Sequence, residues 1–314
     1  MDHPINRAIV IGGLGFIGSY VTEELLTQNI STTIYDNLSS GKLNNSSYFI
    51  SQIDIVEADI LDLEQLICAM KGIKYVFHLA AITSVPQSIT DPYQTHKINN
   101  TGTLNVLWAA LKAGVSRVII SSSCSVYGDV NMPPLKESDI PSPKSPYAAS
   151  KLIGETLAES FYHSYGLETV CLRYFNVYGL RQRADSGYAA AIPRFIQCYK
   201  QKKYPQIYGD GSQSRDFIHV TDVARANILA ASLPSSVLAK HRVFNIGTGY
   251  STSILKLLEI ISNQAGYYIE PDFQPARIGD IKQSYADITL AKKYLKFNPV
   301  VNLNDGIKEL IDHE

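Results

Sequence analysis

With 314 residues, the chain is long enough to bury a large core and to form one or two domains. Its 28 Lys and Arg balance 29 Asp and Glu, a formal net charge of −1 that leaves no basic excess for nucleic acid or an anionic membrane. No apolar run is long enough to span a bilayer, no signal peptide is visible, and Cys68, Cys124, Cys171 and Cys198 lack metal or redox spacing, so we expect reduced thiols in a cytoplasmic protein.

The first half alternates between strand and helix patterns. Ala8–Ile11 is a short apolar run that predicts a buried parallel strand. It leads into Gly12, Gly15 and Gly18 at G-x-x-G-x-x-G spacing, then an amphipathic segment to about Gln28. Glycines there let the backbone turn and approach a pyrophosphate, while the helix start supplies N–H groups and positive dipole. A second strand, Thr32–Tyr35, ends at Asp36, about twenty residues past the loop. A carboxylate at that place accepts the adenosine ribose hydroxyls and repels a 2′-phosphate, which predicts NAD rather than NADP. Further strands are expected at Ile53–Val56, Tyr75–His78 and Arg117–Ile120, with a helix near Thr95–Ala113. The fold class predicted is α/β: a Rossmann doubly wound parallel sheet with a smaller C-terminal α/β substrate domain.

The last of these strands delivers Ser121–Ser123 at its carboxyl end, and Pro146 and Tyr147 open the next helix, to about Tyr165. Tyr147 and Lys151 stand one helical turn apart on one face. An ammonium beside a phenol favours the phenolate, and Ser123 can hydrogen-bond the same oxygen, so a general base is expected. An exposed i,i+4 pair on an ordinary helix has the same spacing, and the upstream cofactor signals decide for chemistry. The seven histidines form no ligand cluster, and no metal is expected.

An ordered set of stretches then carries a resemblance over nearly the whole chain: Gly12–Gly18, Asp36–Leu38, His78–Ala81, Ser121–Gly128, Tyr147–Lys151, Leu172–Asn176, Ser214–His219 and Arg277–Asp280. The chain resembles the extended short-chain dehydrogenase/reductase superfamily, and within it the nucleotide-sugar 4-epimerases. The resemblance implies a Rossmann domain over 1–175 holding NAD and a nucleotide-sugar domain over 176–314, with segments interleaved at the boundary. It also implies a homodimer built from the helix near Thr95–Ala113 and the one starting at Tyr147. Catalytic roles fall to Tyr147, Lys151 and Ser123: base, nicotinamide-ribose ligand and partner of the sugar 4-oxygen. NAD contacts carry over to the glycine turn with Phe16 and Ile17, and to Asp36, Asn37, Ser40, Gly41, Asp59, Ile60, Leu79, Ala80, Ala81, Phe175 and Val177. The chain departs from its relatives at Ile98, before Asn99 and Asn100, and no cofactor contact is assigned there.

For the substrate, the resemblance assigns Asn176, Arg215 and Arg277 to the diphosphate, Gln206, Ile207 and Tyr208 to the uracil pocket, and Asp280 to a ribose hydroxyl. It also assigns Asn245 to the substrate, and Thr83, Ser84, Tyr188, Ala190, Ala191 and Ser284 to the sugar side. A guanidinium matches phosphate bidentately and keeps its charge, which agrees for both arginines. Related 4,6-dehydratases carry Thr-Asp-Glu where this chain has Ser123-Cys124-Ser125, and related decarboxylases a glutamate at Ser125. Neither Cys124 nor Ser125 replaces a carboxylate at neutral pH, so epimerisation is expected. Serine at 284, where glucose-only epimerases typically carry tyrosine, favours UDP-GlcNAc and UDP-GalNAc, with UDP-glucose and UDP-galactose also accepted. A glucose/galactose enzyme, a UDP-glucuronate 4-epimerase and a non-catalytic NAD-binding sensor or scaffold are the alternatives.

Overall fold

A computed structural model describes residues 6–129, 132–182, 191–276 and 281–313. Its centre is a sheet of seven parallel strands, which lie side by side in the order 243–246, 168–174, 117–123, 75–78, 7–11, 31–36 and 54–57. In chain order its first members are β1 (Arg7–Ile11), α1 (Phe16–Thr27), β2 (Ser31–Asp36), β3 (Asp54–Glu57), α2 (Leu63–Ala69) and β4 (Tyr75–His78). After β3 the chain crosses back to pair β4 with β1, so the strand order reverses between β1 and β4. Ligands bind open α/β sheets at such a switch point, outside the strand carboxyl ends.

Beyond β4 come two short helices, α3 (Val85–Thr90) and α4 (Pro92–His96), each started by a side-chain cap, Ser84 and Asp91. A π-type turn over Lys97–Thr101 then joins α4 to α5 (Gly102–Ala113). The continuous helix expected over 95–113 is therefore interrupted. The interruption is occupied by polar chemistry: Asn99 donates to the Ile82 carbonyl and to Ser150 Oγ, and accepts from the Ile82 N–H. Strand β5 (Arg117–Ser123) follows, then α6 (Pro146–Tyr165). Ser145 caps α6 on the Ala148 N–H, Pro146 occupies its first turn, and Gly166 ends it in the left-handed region at φ 72°.

Strand β6 (Glu168–Tyr174) completes the run toward one edge. Past it lie β7 (Asn176–Tyr178), α7 (Ala191–Lys200), β8 (Gln206–Tyr208), β9 (Ser214–Arg215) and β10 (Phe217–His219). Helix α8 (Val220–Ala231) and strand β11 (Val243–Ile246), separated by the short α9 (Ser235–Leu238), return to the large sheet, whose core they share with α1 and β1. The last elements are β12 (Thr252–Ser253), α10 (Ile254–Ala265), β13 (Asp272–Gln274), β14 (Gln283–Ser284) and α11 (Leu303–His313). A second core gathers Phe195, Ile196, Ile207, Phe217, Leu257 and Ile307 from α7, β8, β10, α10 and α11. Beside it, β9 is flanked by β12 and β14, and β8 pairs with β13. Among the described residues no helix is long and apolar enough to cross a membrane.

Candidate active site

A cleft of about 850 Å³ opens at the switch point between β1 and β4. Gly12, Gly15, Phe16, Ile17 and Gly18 form one wall, Leu79, Ala80 and Ala81 another. Gly12 sits at φ 81°, and a Cβ there would lie 2.7 Å from the Ala80 nitrogen. At Gly18 a Cβ would lie 2.0 Å from the Gly12 carbonyl oxygen, so α1 starts closer to β1 than any other residue allows. The N-cap of α1 is Gly15, which has no side chain to occupy the first-turn N–H groups. They remain for an anion.

Asp36 ends β2 in the same cleft and is only 7% exposed. Its carboxylate accepts from the Leu14 N–H at 3.0 Å and the Leu38 N–H at 2.8 Å. Burial raises its pKa, and these two backbone hydrogen bonds work against that rise. Asn37, Ser40, Asp59 and Ile60 line this end, with Asn37 Nδ2 donating to Asp59 at 2.8 Å. Gly41 packs on the Asp36 carboxylate instead of facing the cleft.

At the other end Ser123, Tyr147 and Lys151 converge with Thr83, Ser84, Phe175 and Val177. The Ser123 hydroxyl hydrogen-bonds the Tyr147 phenol and favours its ionised form, but burial outweighs this and pushes the phenol up to about 12. The expected depression of this pKa by Lys151 is not found. The ammonium stands 6.0 Å from the Tyr147 ring centroid and donates instead to the Ser121 carbonyl oxygen at 2.9 Å and Ser121 Oγ at 3.3 Å. Burial pushes the lysine itself down to about 8. Burial thus pushes both groups toward their neutral forms, while the Ser123 hydrogen bond works the other way on the phenol.

Several supports of this corner carried no motif. Ser88, fully buried in α3, accepts from the Tyr147 N–H at 3.1 Å, and Ser150 Oγ donates to the Tyr147 carbonyl at 2.7 Å. Arg181 lines the large cleft from the loop after β7, held by Glu23 at 2.8 Å and Ser19 at 3.2 Å. Only its place beside α1, invisible in the chain order, marks it.

A second cleft of about 260 Å³ adjoins the first, sharing Val177. Asn176, Ala191, Gln206, Ile207, Tyr208 and Arg215 line it, together with Arg194 and Gln213, which drew no expectation. Arg215 Nη1 donates to the Ser214 carbonyl at 2.9 Å and the Ile281 carbonyl at 2.6 Å, which fixes one end of its guanidinium. Two expected substrate residues stand apart from both clefts. Asn245 is fully buried in β11: Nδ2 donates to the carbonyls of Leu135 and Asp287, and Oδ1 accepts from Tyr127. These bonds engage both ends of the amide inside the fold, away from the lining of either cleft. Ser284 is buried on β14, its hydroxyl hydrogen-bonded to the thiol of Cys124, the chain neighbour of Ser123. Tyr188, Ala190, Arg277 and Asp280 lie outside the described residues.

The model of the NAD dependent epimerase/dehydratase family matches residues 8–247. The chain belongs to that family. A solved UDP-N-acetylglucosamine 4-epimerase of Methanobrevibacter ruminantium, in complex with UDP-N-acetylmuramic acid, superposes with a TM-score of 0.93 at 40% identity over 99% of this chain and 98% of that one. A UDP-glucose 4-epimerase of Thermotoga maritima, with UDP-glucose, superposes with a TM-score of 0.91 at 37% identity over 98% of each chain. A UDP-glucose 4-epimerase of Mycolicibacterium smegmatis is 36% identical over 311 residues, 98% of this chain and 97% of its own. By this family and these relatives the protein is an enzyme of the isomerase class, and its cofactor is NAD. The cleft fits that cofactor: an uncapped helix start and a glycine turn for the pyrophosphate, and the Asp36 carboxylate for the ribose.

Proposed function

We propose that the enzyme interconverts C4 epimers of UDP-hexoses and favours UDP-GlcNAc and UDP-GalNAc, with UDP-glucose and UDP-galactose also accepted. The chemistry that NAD supplies when bound is reversible hydride exchange. The chain's own residues handle protons and position. As the phenolate, the form that the Ser123 hydrogen bond favours and that the positive charge of a bound oxidised nicotinamide would favour further, Tyr147 takes the proton of the sugar 4-hydroxyl and returns it; Ser123 holds the 4-oxygen, and Lys151 holds the nicotinamide ribose. Use of the same phenol in both directions means no net redox change and no second acid/base pair. None is needed beside Ser123, where Cys124 is half-buried and desolvation pushes its thiol up to about 11.

The preference for acetylated sugars rests on Ser284. This small side chain is buried against Cys124, one residue from Ser123. A tyrosine ring there would have to displace Cys124 or enter the space near Ser123. Thr83 and Ser84, short side chains lining the same cleft as Tyr147, agree with a roomy sugar site. The diphosphate and uridine fall to the smaller cleft, where Arg215 and Asn176 stand beside Gln206, Ile207 and Tyr208. Arg277 and Asp280 complete that assignment.

The deciding experiment is kcat/KM for acetylated and plain UDP-hexoses in the wild type and in Ser284→Tyr, with C4 configuration followed by NMR. Activity on UDP-GlcNAc that is lost selectively in Ser284→Tyr is the expected outcome. A wild type that turns over only UDP-glucose and UDP-galactose defeats the preference, and one that turns over no UDP-hexose returns the protein to the NAD-sensor reading.

A further inference from the structure

We infer that Glu155 is a positioning residue, whose carboxylate sets α6 against β5 so that Tyr147 and Lys151 meet Ser123 and Ser121. The inference rests on the epimerase reading above. Tyr147, Lys151 and Glu155 follow one another at four-residue spacing and rise along one face of α6. Each meets one serine of the run that ends β5: Ser123 beside Tyr147, Ser121 under Lys151, Ser122 against Glu155. The residues of the first two contacts line the cleft, which Ser122 also borders. The third lies inside the fold, where Glu155, Ser122 and Arg173 are 7%, 3% and 4% exposed.

Around that point α6 packs through apolar groups, with Ala158 and Phe161 in one core with Ile120 and Cys171. Apolar packing is not directional, and it tolerates small shifts of a helix along its axis. Hydrogen bonds to a carboxylate are directional. Glu155 Oε1 accepts from Ser122 Oγ and from Arg173 Nε at 2.9 Å, while Oε2 accepts from Arg173 Nη2 at 2.7 Å. The carboxylate is thereby fixed to β5 and β6 at once, one turn past Lys151. A buried ion pair contributes little net stability, because desolvating two charges offsets their attraction. What this one contributes is a setting for α6. That setting matters because a displacement of about 1 Å far from the chemistry can cost about 10²-fold in rate.

The test separates position from stability. In Glu155→Gln, kcat is expected to fall about 10- to 100-fold, with KM for the UDP-sugar and NAD content near wild type. The double variant Glu155→Leu/Arg173→Met replaces the pair by apolar groups. It is expected to recover the wild-type Tm yet keep the low kcat. Crystal structures of both variants should show Lys151 Nζ withdrawn from the Ser121 carbonyl or the Tyr147 hydroxyl from Ser123. Wild-type kcat in the stable double variant, or unchanged contacts in its crystal structure, overturns the inference. Should the wild type itself turn over no UDP-sugar, the substrate reading fails, while the crystallographic contacts still decide the role of Glu155.

Discussion

Lys151 donates to the carbonyl oxygen of Ser121 at 2.9 Å, and its ammonium stands 6.0 Å from the centroid of the Tyr147 ring. The lysine is thus anchored to the strand that carries Ser123, while burial pushes the phenol up to about 12 against the hydrogen bond from Ser123. Three side chains at this corner have separable roles. Tyr147→Phe removes the proton carrier and is expected to lower kcat by about 10²–10⁴-fold with the fold intact. Lys151→Met is expected to lower turnover by orders of magnitude as well, through the lost ribose contact. Ser123→Ala should cost less, since the base remains. Steady-state kinetics on a UDP-hexose, with circular dichroism as the control, checks all three, and near wild-type turnover in Tyr147→Phe would sink the mechanism.

The buried lysine also predicts a pH signature in stability. Burial lowers its pKa from 10.5 to about 8. Below pH 8 both folded and unfolded chains hold this proton, and the cost of burying the ammonium stands in full, about 3 kcal/mol for a displacement of that size. Between about pH 8 and 10.5 the unfolded chain holds more protons than the folded one, so stability rises with pH and the cost is relieved. Lys151→Met is therefore expected to be more stable than wild type at pH 7, with the advantage shrinking from pH 8 to pH 10. Tyr147 pulls the other way above pH 10, where the unfolded phenol ionises first, but it does so equally in both proteins. Urea titrations of the two proteins across this range give the answer, and a pH-independent difference would contradict it.

How much of this was legible differs residue by residue. The glycine turn, Asp36 and the strand–helix alternation were readable because local geometry imposes their spacing: a tight turn, a strand length, one helical turn. Lys151 could be found by its spacing from Tyr147, but not its partner, since the Ser121 acceptor is a backbone carbonyl that any residue supplies. The rise in the Tyr147 pKa was hidden for a related reason. It depends on how deeply the fold buries the phenol, and pair spacing says nothing of burial. Asn245 lies on a strand edge whose neighbours Leu135 and Asp287 are more than forty residues away or farther in the chain, so nothing local announced that its amide was already bonded. The π-type turn at Lys97–Thr101 likewise answers to Ile82 and Ser150, not to its own helix pattern.

We expect a homodimer through α5 and α6. The apolar stripes of these helices divide between two surroundings. Leu107 and Phe161 are buried in the core under the sheet, whereas Leu104 and Ile153 remain 42% and 39% exposed. Trp108, Leu111 and Leu157 are half-buried between them. An outward apolar strip on two adjacent helices suits a two-fold partner of the same kind. Light scattering at micromolar concentration should give twice the mass of one chain, and Leu104→Lys/Ile153→Glu should give one. A wild type that is monomeric at that concentration refutes the dimer.

The final prediction concerns cofactor choice. Asp36 holds the Leu14 and Leu38 N–H groups, and Gly41 presses on its carboxylate, so one side chain both shapes the loop and faces the ribose end of the cleft. Asp36→Ala removes a charged acceptor worth about 1.5–3 kcal/mol, which corresponds to about 10- to 100-fold weaker NAD binding. It also removes the negative charge that repels a 2′-phosphate. Binding of NADP is therefore expected to weaken much less than binding of NAD, or to improve. Asp36→Asn distinguishes the two causes: it keeps an acceptor oxygen for the loop but loses the charge. If repulsion controls the choice, Asn should gain NADP as Ala does while retaining the loop, and calorimetric titration of both dinucleotides into cofactor-stripped enzyme measures this. Unchanged discrimination in both variants would mean that loop shape, and not the Asp36 charge, excludes NADP.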